Sequence, residues 1–156
     1  MKIEIRQVTT DNLSAVLALR VAQHQTSYIE NTAQCLEEAQ DCSLYQPAAL
    51  YADDALVGFA MYGRFPGEGM NGRVWLDRFL IDEQYQGQGM GTLMLDALIS
   101  YLDRLYDASD IYLSLFDDNH GALYLYQKFG FRFNGELDIN GEKVMVRSRH
   151  TNEEKI

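Results

Sequence analysis

Apolar and polar residues alternate along Lys2 to Val8, the period-two pattern of a strand with one buried face. The period then changes, and Leu13, Val16, Leu17 and Leu19 fall on one side of a helix that Asp11 or Asn12 can cap. A second helix is predicted from Asn31-Thr32 to about Gln40, and Gln46-Pro47 stops it before a strand over Ala48 to Ala52. Asp53-Asp54 turns that strand back into Leu56 to Gly63 as a hairpin. Residues 65 to 72, with Pro66 and three glycines, are the most loop-like stretch and lead into Val74 to Ile81, the expected long central strand. A glycine-rich turn, an amphipathic helix over Thr92 to Leu105 and a strand over Ile111 to Phe116 then make a strand-helix-strand unit. Asn119 is placed to cap another helix that Gly130 ends, and Phe131 to Leu137 with Glu142 to Arg147 form a hairpin around Asn140-Gly141. No repeat interrupts this order, and the polar residues 151 to 156 are expected to fray.

A chain of 156 residues, 47% of them hydrophobic, can bury one sizeable core, which points to a single domain over residues 1 to 150. No apolar run has the length of a bilayer span, and Met1 to Arg6 alternates charge with isoleucine instead of building a signal-peptide core, so a cytoplasmic protein with no membrane partner is expected. Cys35 and Cys42 lie seven apart in a helical segment, too far along it to meet, and are read as free thiols. His24, His120 and His150 are scattered and no CxxC is present, so no metal is expected. Thirteen basic against 23 acidic residues give a formal charge of −10, which repels phosphate backbones and argues against nucleic acid as a partner. Solubility is the simpler account of that charge, and an acidic site for a cationic ligand is the alternative.

Candidate chemistry centres on Gln86-Gly87-Gln88-Gly89-Met90-Gly91-Thr92, directly after a strand and directly before a helix. Glycines let successive N–H groups converge on one anion, and the helix start adds open donors and the positive end of its dipole, so a pyrophosphate can be held without a cation. The GxGxG spacing past mid-chain does not fit a dinucleotide fingerprint, and the Lys-Ser/Thr ending of a P-loop is missing. A helix that merely begins with a glycine-rich turn is the bland reading. A second stretch runs from Asn119 through Leu125-Tyr126-Gln127-Lys128-Phe129-Gly130-Phe131, on the helix after the next strand.

Together the two stretches resemble the GNAT superfamily of acetyl-CoA-dependent N-acetyltransferases, through Gln86-x-x-Gly89-x-Gly91 and through Asn119 with Leu125-Tyr126-x-Lys128-x-Gly130-Phe131. The similarity narrows toward bacterial spermine/spermidine N-acetyltransferases through three further stretches: Ser27 to Glu30, Trp75 to Phe79 with Ile81-Asp82, and Phe133 to Leu137 with Asn140 to Val146. The resemblance implies an α/β (α+β) fold, a mixed central sheet with splayed fourth and fifth strands flanked by helices. It implies acetyl-CoA as cosubstrate and a small cationic amine as acceptor, with a homodimer, common in the family, open through edge strands and the C-terminal hairpin. It also tilts the reading of the negative charge toward an acidic acceptor site.

By the same resemblance, backbone groups of Phe79, Leu80 and Ile81 would bind the pantetheine arm. Gln86, Gly87, Gln88, Gly89, Met90, Gly91 and Thr92, with Asn119, Tyr126 and Lys128, would complete the coenzyme site. Gln86 departs from the arginine of many relatives, which leaves more of the pyrophosphate binding to the backbone. An aliphatic ammonium, with a pKa of about 10.4, must lose a proton before it attacks a thioester, and Asp77 is the candidate to bind or deprotonate it, directly or through water. Tyr126 matches the family's general acid, while Tyr124 should face elsewhere. An ion pair or a solvated carboxylate is the alternative for Asp77, and a core aromatic for Tyr126. Tyr28 and Glu30 are the candidates for amine selection. Glu37 and Glu38 are explained equally by a solvated helix surface, and residues 66 to 72 are a candidate gate. Rival functions are acetylation of an aminoglycoside, an amino acid or a protein N-terminus, or a non-catalytic acyl-CoA sensor.

Overall fold

The alternating segments pair into one mixed sheet of seven strands, in the order β1-β2-β3-β4-β5-β7-β6. The computed structural model describes residues 1–22, 25, 31–107 and 110–149. Its strands are β1 (Ile3–Gln7), β2 (Gln46–Ala52), β3 (Ala55–Phe65), β4 (Arg73–Ile81), β5 (Asp110–Leu115), β6 (Arg132–Leu137) and β7 (Lys143–Ser148). Its helices are α1 (Leu13–Leu17), α2 (Thr32–Asp41), α3 (Met90–Tyr106) and α4 (His120–Lys128). Every neighbouring pair is antiparallel except β4 and β5, which α3 joins as a parallel crossover. The mixed sheet flanked by helices is the expected fold.

Apolar residues at helical spacing on α3, including Met90, Met94, Leu95, Leu98 and Leu102, pack with Ala60, Leu76, Ile111 and Leu113 on one face of the sheet. Val16, Leu19 and Cys35 cover the other face over Ala49, Phe59, Met61 and Leu80. The first helix is shorter than its apolar spacing suggests: it ends at Leu17, and Leu13 and Leu17 are exposed while Val16 and Leu19 are buried. Asn12 gives it no side-chain cap, because its Oδ1 accepts from the Thr9 amide instead. Asn31 does cap α2: its Oδ1 accepts from the Gln34 amide, and its own amide donates to Gln34 Oε1.

One register shift decides the shape of the sheet. Met61 faces Arg78 but Tyr62 faces Leu76, so the register skips Asp77, one extra residue on β4. Such a bulge bends the strand that carries it and increases its twist. On its other edge β4 pairs with β5 only through Val74↔Ile111 and Trp75↔Tyr112, ending just before the bulge. The Trp75 and Tyr112 rings, 5.4 Å apart, close that end. Beyond it β5 stays with β7, from Asp110↔Ser148 to Leu115↔Lys143, and the sheet parts into a wedge.

Within the wedge β4 has no ladder pairing with β5. The Asp82 amide donates to the Val57 carbonyl at 2.8 Å, and alternation along an antiparallel ladder then turns the groups of Leu80 toward β3 and those of Phe79 and Ile81 toward the wedge. Gly58 lets β3 come this close, since a Cβ there would overlap the Leu80 carbonyl oxygen. Gly58→Ala should therefore displace β4 and destabilise the protein by about 1–3 kcal/mol. Urea unfolding should show a lower midpoint with an unchanged slope.

Candidate active site

Where β4 leaves β5, a cavity of about 320 Å³ lies between β4 and the helix starts that follow each strand. Phe79, Leu80 and Ile81 line it from β4, Gln86, Gly87 and Gly91 from the glycine-rich turn, and Asn119, Gly121, Ala122, Leu125 and Tyr126 from α4. Val21 and Gln25 close it from the connection after α1.

The turn is held by glycine at two positive-φ positions, Gly87 (77°) and Gly89 (79°), where an L side chain would be strained. Gly89 is the N-cap of α3 and offers no side chain, so the amides of Met90, Gly91 and Thr92 keep no cap. Those donors and the dipole of a 17-residue helix make a site for an anion. Met90 anchors the turn by burying its side chain in the core. Gln86 donates from Nε2 to the Ile81 carbonyl and to Gln25 Oε1, both at 2.8 Å, and so ties the turn to the end of β4. Gln88 donates to the Gln84 carbonyl at 3.2 Å on the outer side, away from the cavity lining.

Asn119 occupies the N-cap position of α4 but makes no cap bond, which corrects the sequence expectation. Its φ and ψ of −79° and 75° are not the extended values from which a cap side chain reaches the first turn, and the residue lines the cavity instead. The Tyr126 ring rests edge-on against Phe131 at 5.8 Å. Burial pushes its phenol far above the usual range, so it holds its proton at neutral pH. Tyr124 is 68% exposed and lies beneath the Lys128 ammonium at 5.6 Å. Lys128, expected at the coenzyme, thus stands on the outer face of α4.

On the other face of the sheet, Asp77 meets the Nη1 of Arg78 at 2.9 Å, and Arg78 also reaches Glu38 of α2 at 3.6 Å. Burial, followed by the negative charges of Asp77 and Glu38, pushes the nearby Tyr45 phenol up to about 12. Glu37 is exposed. Tyr28 and Glu30 lie outside the described residues. Among the described residues, no group of His, Cys, Asp and Glu is arranged to hold a metal, and no helix is long and apolar enough to cross a membrane.

Residues 10–131 match the acetyltransferase (GNAT) family. The chain belongs to this family. It is 59% identical over 150 residues to the spermine/spermidine N(1)-acetyltransferase of Bacillus subtilis (strain 168), covering 94% of this chain and 99% of that one. It is 58% identical, with the same coverage, to a probable spermine N(1)-acetyltransferase of Bacillus subtilis subsp. natto (strain BEST195). Among solved structures, an aminoglycoside acetyltransferase in complex with coenzyme A superposes with a TM-score of 0.79 at 20% identity over 98% of both chains. A spermidine N-acetyltransferase from Vibrio cholerae, in complex with CoA and spermine, superposes with a TM-score of 0.71 at 19% identity, over 95% of this chain and 96% of that one. At those identities the two structures show the shared GNAT fold.

The GNAT cosubstrate, acetyl-coenzyme A, is matched by what the wedge offers: open β4 amides for an extended amide-bearing arm, and uncapped helix amides for its phosphates. Sequence reasoning missed Gly121, Ala122 and Leu125. The i, i+3 and i, i+4 spacings from Ala122 to Leu125 and to Tyr126 would have placed Ala122 on the same face of the helix as the tyrosine. Val21 and Gln25 sit in an irregular connection and carry no such signal. In Gly89→Ala, a left-handed conformation costs an alanine about 1–2 kcal/mol, so the turn should rearrange locally. Calorimetric titration with coenzyme A should show about tenfold weaker binding if the full cost falls on the bound geometry, with little change in the thermal midpoint.

Proposed function

We propose that this GNAT enzyme transfers the acetyl group of acetyl-coenzyme A to a primary amine of a polyamine such as spermine or spermidine. The observation that carries the substrate is the 59% identity, over nearly all of both chains, to an enzyme named for those two amines. A charge of −10 supports it, since several carboxylates can meet a long cation. The aminoglycoside enzyme shares the fold at 20% identity, which carries no substrate with it.

Acetyl-coenzyme A supplies an acetyl thioester. Phe79 and Ile81 hold its arm through their wedge-facing backbone groups, and the α3 start holds its phosphates. Their N–H groups are also fixed donors beside the carbonyl under attack, where charge accumulates as the amine adds. Tyr126, still protonated at neutral pH, gives its proton to the departing sulfur. Asp77, already counterbalanced by Arg78, serves to hold the ammonium at the mouth of the wedge.

The test is steady-state thiol release from acetyl-coenzyme A with spermine, spermidine, putrescine, lysine and an aminoglycoside. Spermine or spermidine should be preferred, and Tyr126→Phe should lower kcat by about a hundredfold while coenzyme affinity stays nearly unchanged. Coenzyme binding without turnover of any amine would refute the enzyme reading in favour of an acyl-CoA sensor.

A further inference from the structure

Ser114 is the first residue past the last β4–β5 pair on the sheet face opposite α3 and α4, because it shares its side with Tyr112, and Tyr112 pairs with Trp75. Its hydroxyl lies 2.9 Å from Asp138 Oδ2 and 3.3 Å from Glu142 Oε2, both in the turn between β6 and β7. A hydroxyl has a single proton to donate, so it cannot satisfy two carboxylates at once. The arrangement closes when one of the two carboxyls carries a proton.

Which carboxyl carries it follows from the turn. Asp138 Oδ1 accepts the amides of Asn140 and Glu142, each at 2.9 Å, while Oδ2 accepts the Ser114 hydroxyl. Burial pushes Asp138 up, but the Glu142 carboxyl, these amides and Ser114 outweigh it and hold Asp138 below the usual carboxylate range. Asp138 therefore stays ionised. For Glu142, burial first, then the hydrogen bond and charge of Asp138, push the carboxyl up to about 7, against the pull of Arg78 and Ser114. The other charges nearby are already compensated: Lys143 by Asp117 at 2.7 Å, and Arg78 by Asp77 and Glu38.

We propose that Glu142, positioned by Asp138 and Ser114, is the general base of the acetyl transfer and takes the first proton from the attacking ammonium. This rests on the polyamine reading above. The ammonium gives one proton to the Glu142 carboxylate, and the freed lone pair forms the carbon–nitrogen bond. As the carbon–sulfur bond breaks, Tyr126 protonates the sulfur and is reprotonated by the second proton that the nitrogen loses. Glu142 returns its proton to water, so ammonium and thioester become amide, thiol and one released proton. The base sits on the sheet face opposite the coenzyme cavity, where an acceptor can approach the thioester through the wedge.

The test is the pH dependence of kcat/KM with spermidine and saturating acetyl-coenzyme A in the wild type, Glu142→Gln and Asp138→Asn. A base must be deprotonated to act, so the wild-type rate should rise with pH through about 7, far below the titration of the free amine. Glu142→Gln should lose about a hundredfold and this rise, while calorimetry shows unchanged coenzyme affinity. Asp138→Asn should move the rise to lower pH, since it removes the charge that raises Glu142. A second readout is stability. With its folded value above its unfolded one, Glu142 binds more protons in the folded state between about pH 4.3 and 7, so it makes stability fall as pH rises through that window. Glu142→Gln should remove that component of the thermal-midpoint profile. A Glu142→Gln enzyme that turns over spermidine within threefold of wild type, with the rise intact, overturns the assignment of the base alone. A wild type that binds coenzyme but acetylates no polyamine overturns the substrate reading, and this assignment with it.

Discussion

The one-residue excess of β4 at Asp77 is the constraint on which the rest of the structure depends. A strand that kept register with β3 would have no reason to leave β5, and its outer edge would be consumed by the ladder. Because the extra residue bends β4 after Trp75, the parallel pairing stops after two residue pairs and the wedge-facing backbone of Phe79 and Ile81 has no strand beside it. Buried N–H and C=O groups without partners are costly. A wedge of this kind persists as a place for something that supplies those partners. Gln86 already does so for the Ile81 carbonyl, and an extended ligand arm can do so for the others.

The two faces of the wedge are chemically unlike. On the α3 and α4 side the donors are backbone amides, with glycine at the tight positions, and among the described residues no arginine or lysine lines the cavity. A protein of charge −10 repels an anionic coenzyme at long range, and fixed dipoles at contact distance offset this locally without neutralising the acidic surface. On the opposite side the groups are carboxylates on α2, β4 and the β6–β7 turn, with Arg78 among them. The arrangement suits a reaction that joins an anionic donor to a cationic acceptor, each approaching from the face that attracts it.

Much of this was legible in the sequence, because the strands alternate cleanly and the turns carry their own chemistry. Asp53 and Asp54 adopt positive φ in the β2–β3 hairpin, and Gly141 does so in the β6–β7 turn, as those residue types suggest. Tyr126, from the second motif, lines the cavity, and Gly89, from the first, is the uncapped start of α3. The bulge was not legible: Val74 to Ile81 reads as an unbroken strand, and only the partner strand shows that Asp77 is surplus. Asn119 has the composition of a cap, but its backbone angles direct it to the cavity. Glu142 gave no signal because its relation to Ser114, 28 residues earlier, exists only through the antiparallel pairing of β5 with β7.

The most direct measurement of the central claim is amide hydrogen exchange along β4, residue by residue, with and without acetyl-coenzyme A. Added coenzyme should slow exchange at Phe79 and Ile81, whose amides face the wedge, and leave Leu80, already paired with β3, little changed. Coenzyme that binds without altering exchange at Phe79 and Ile81 would show that the open edge of β4 is not where its arm lies, and would contradict the account.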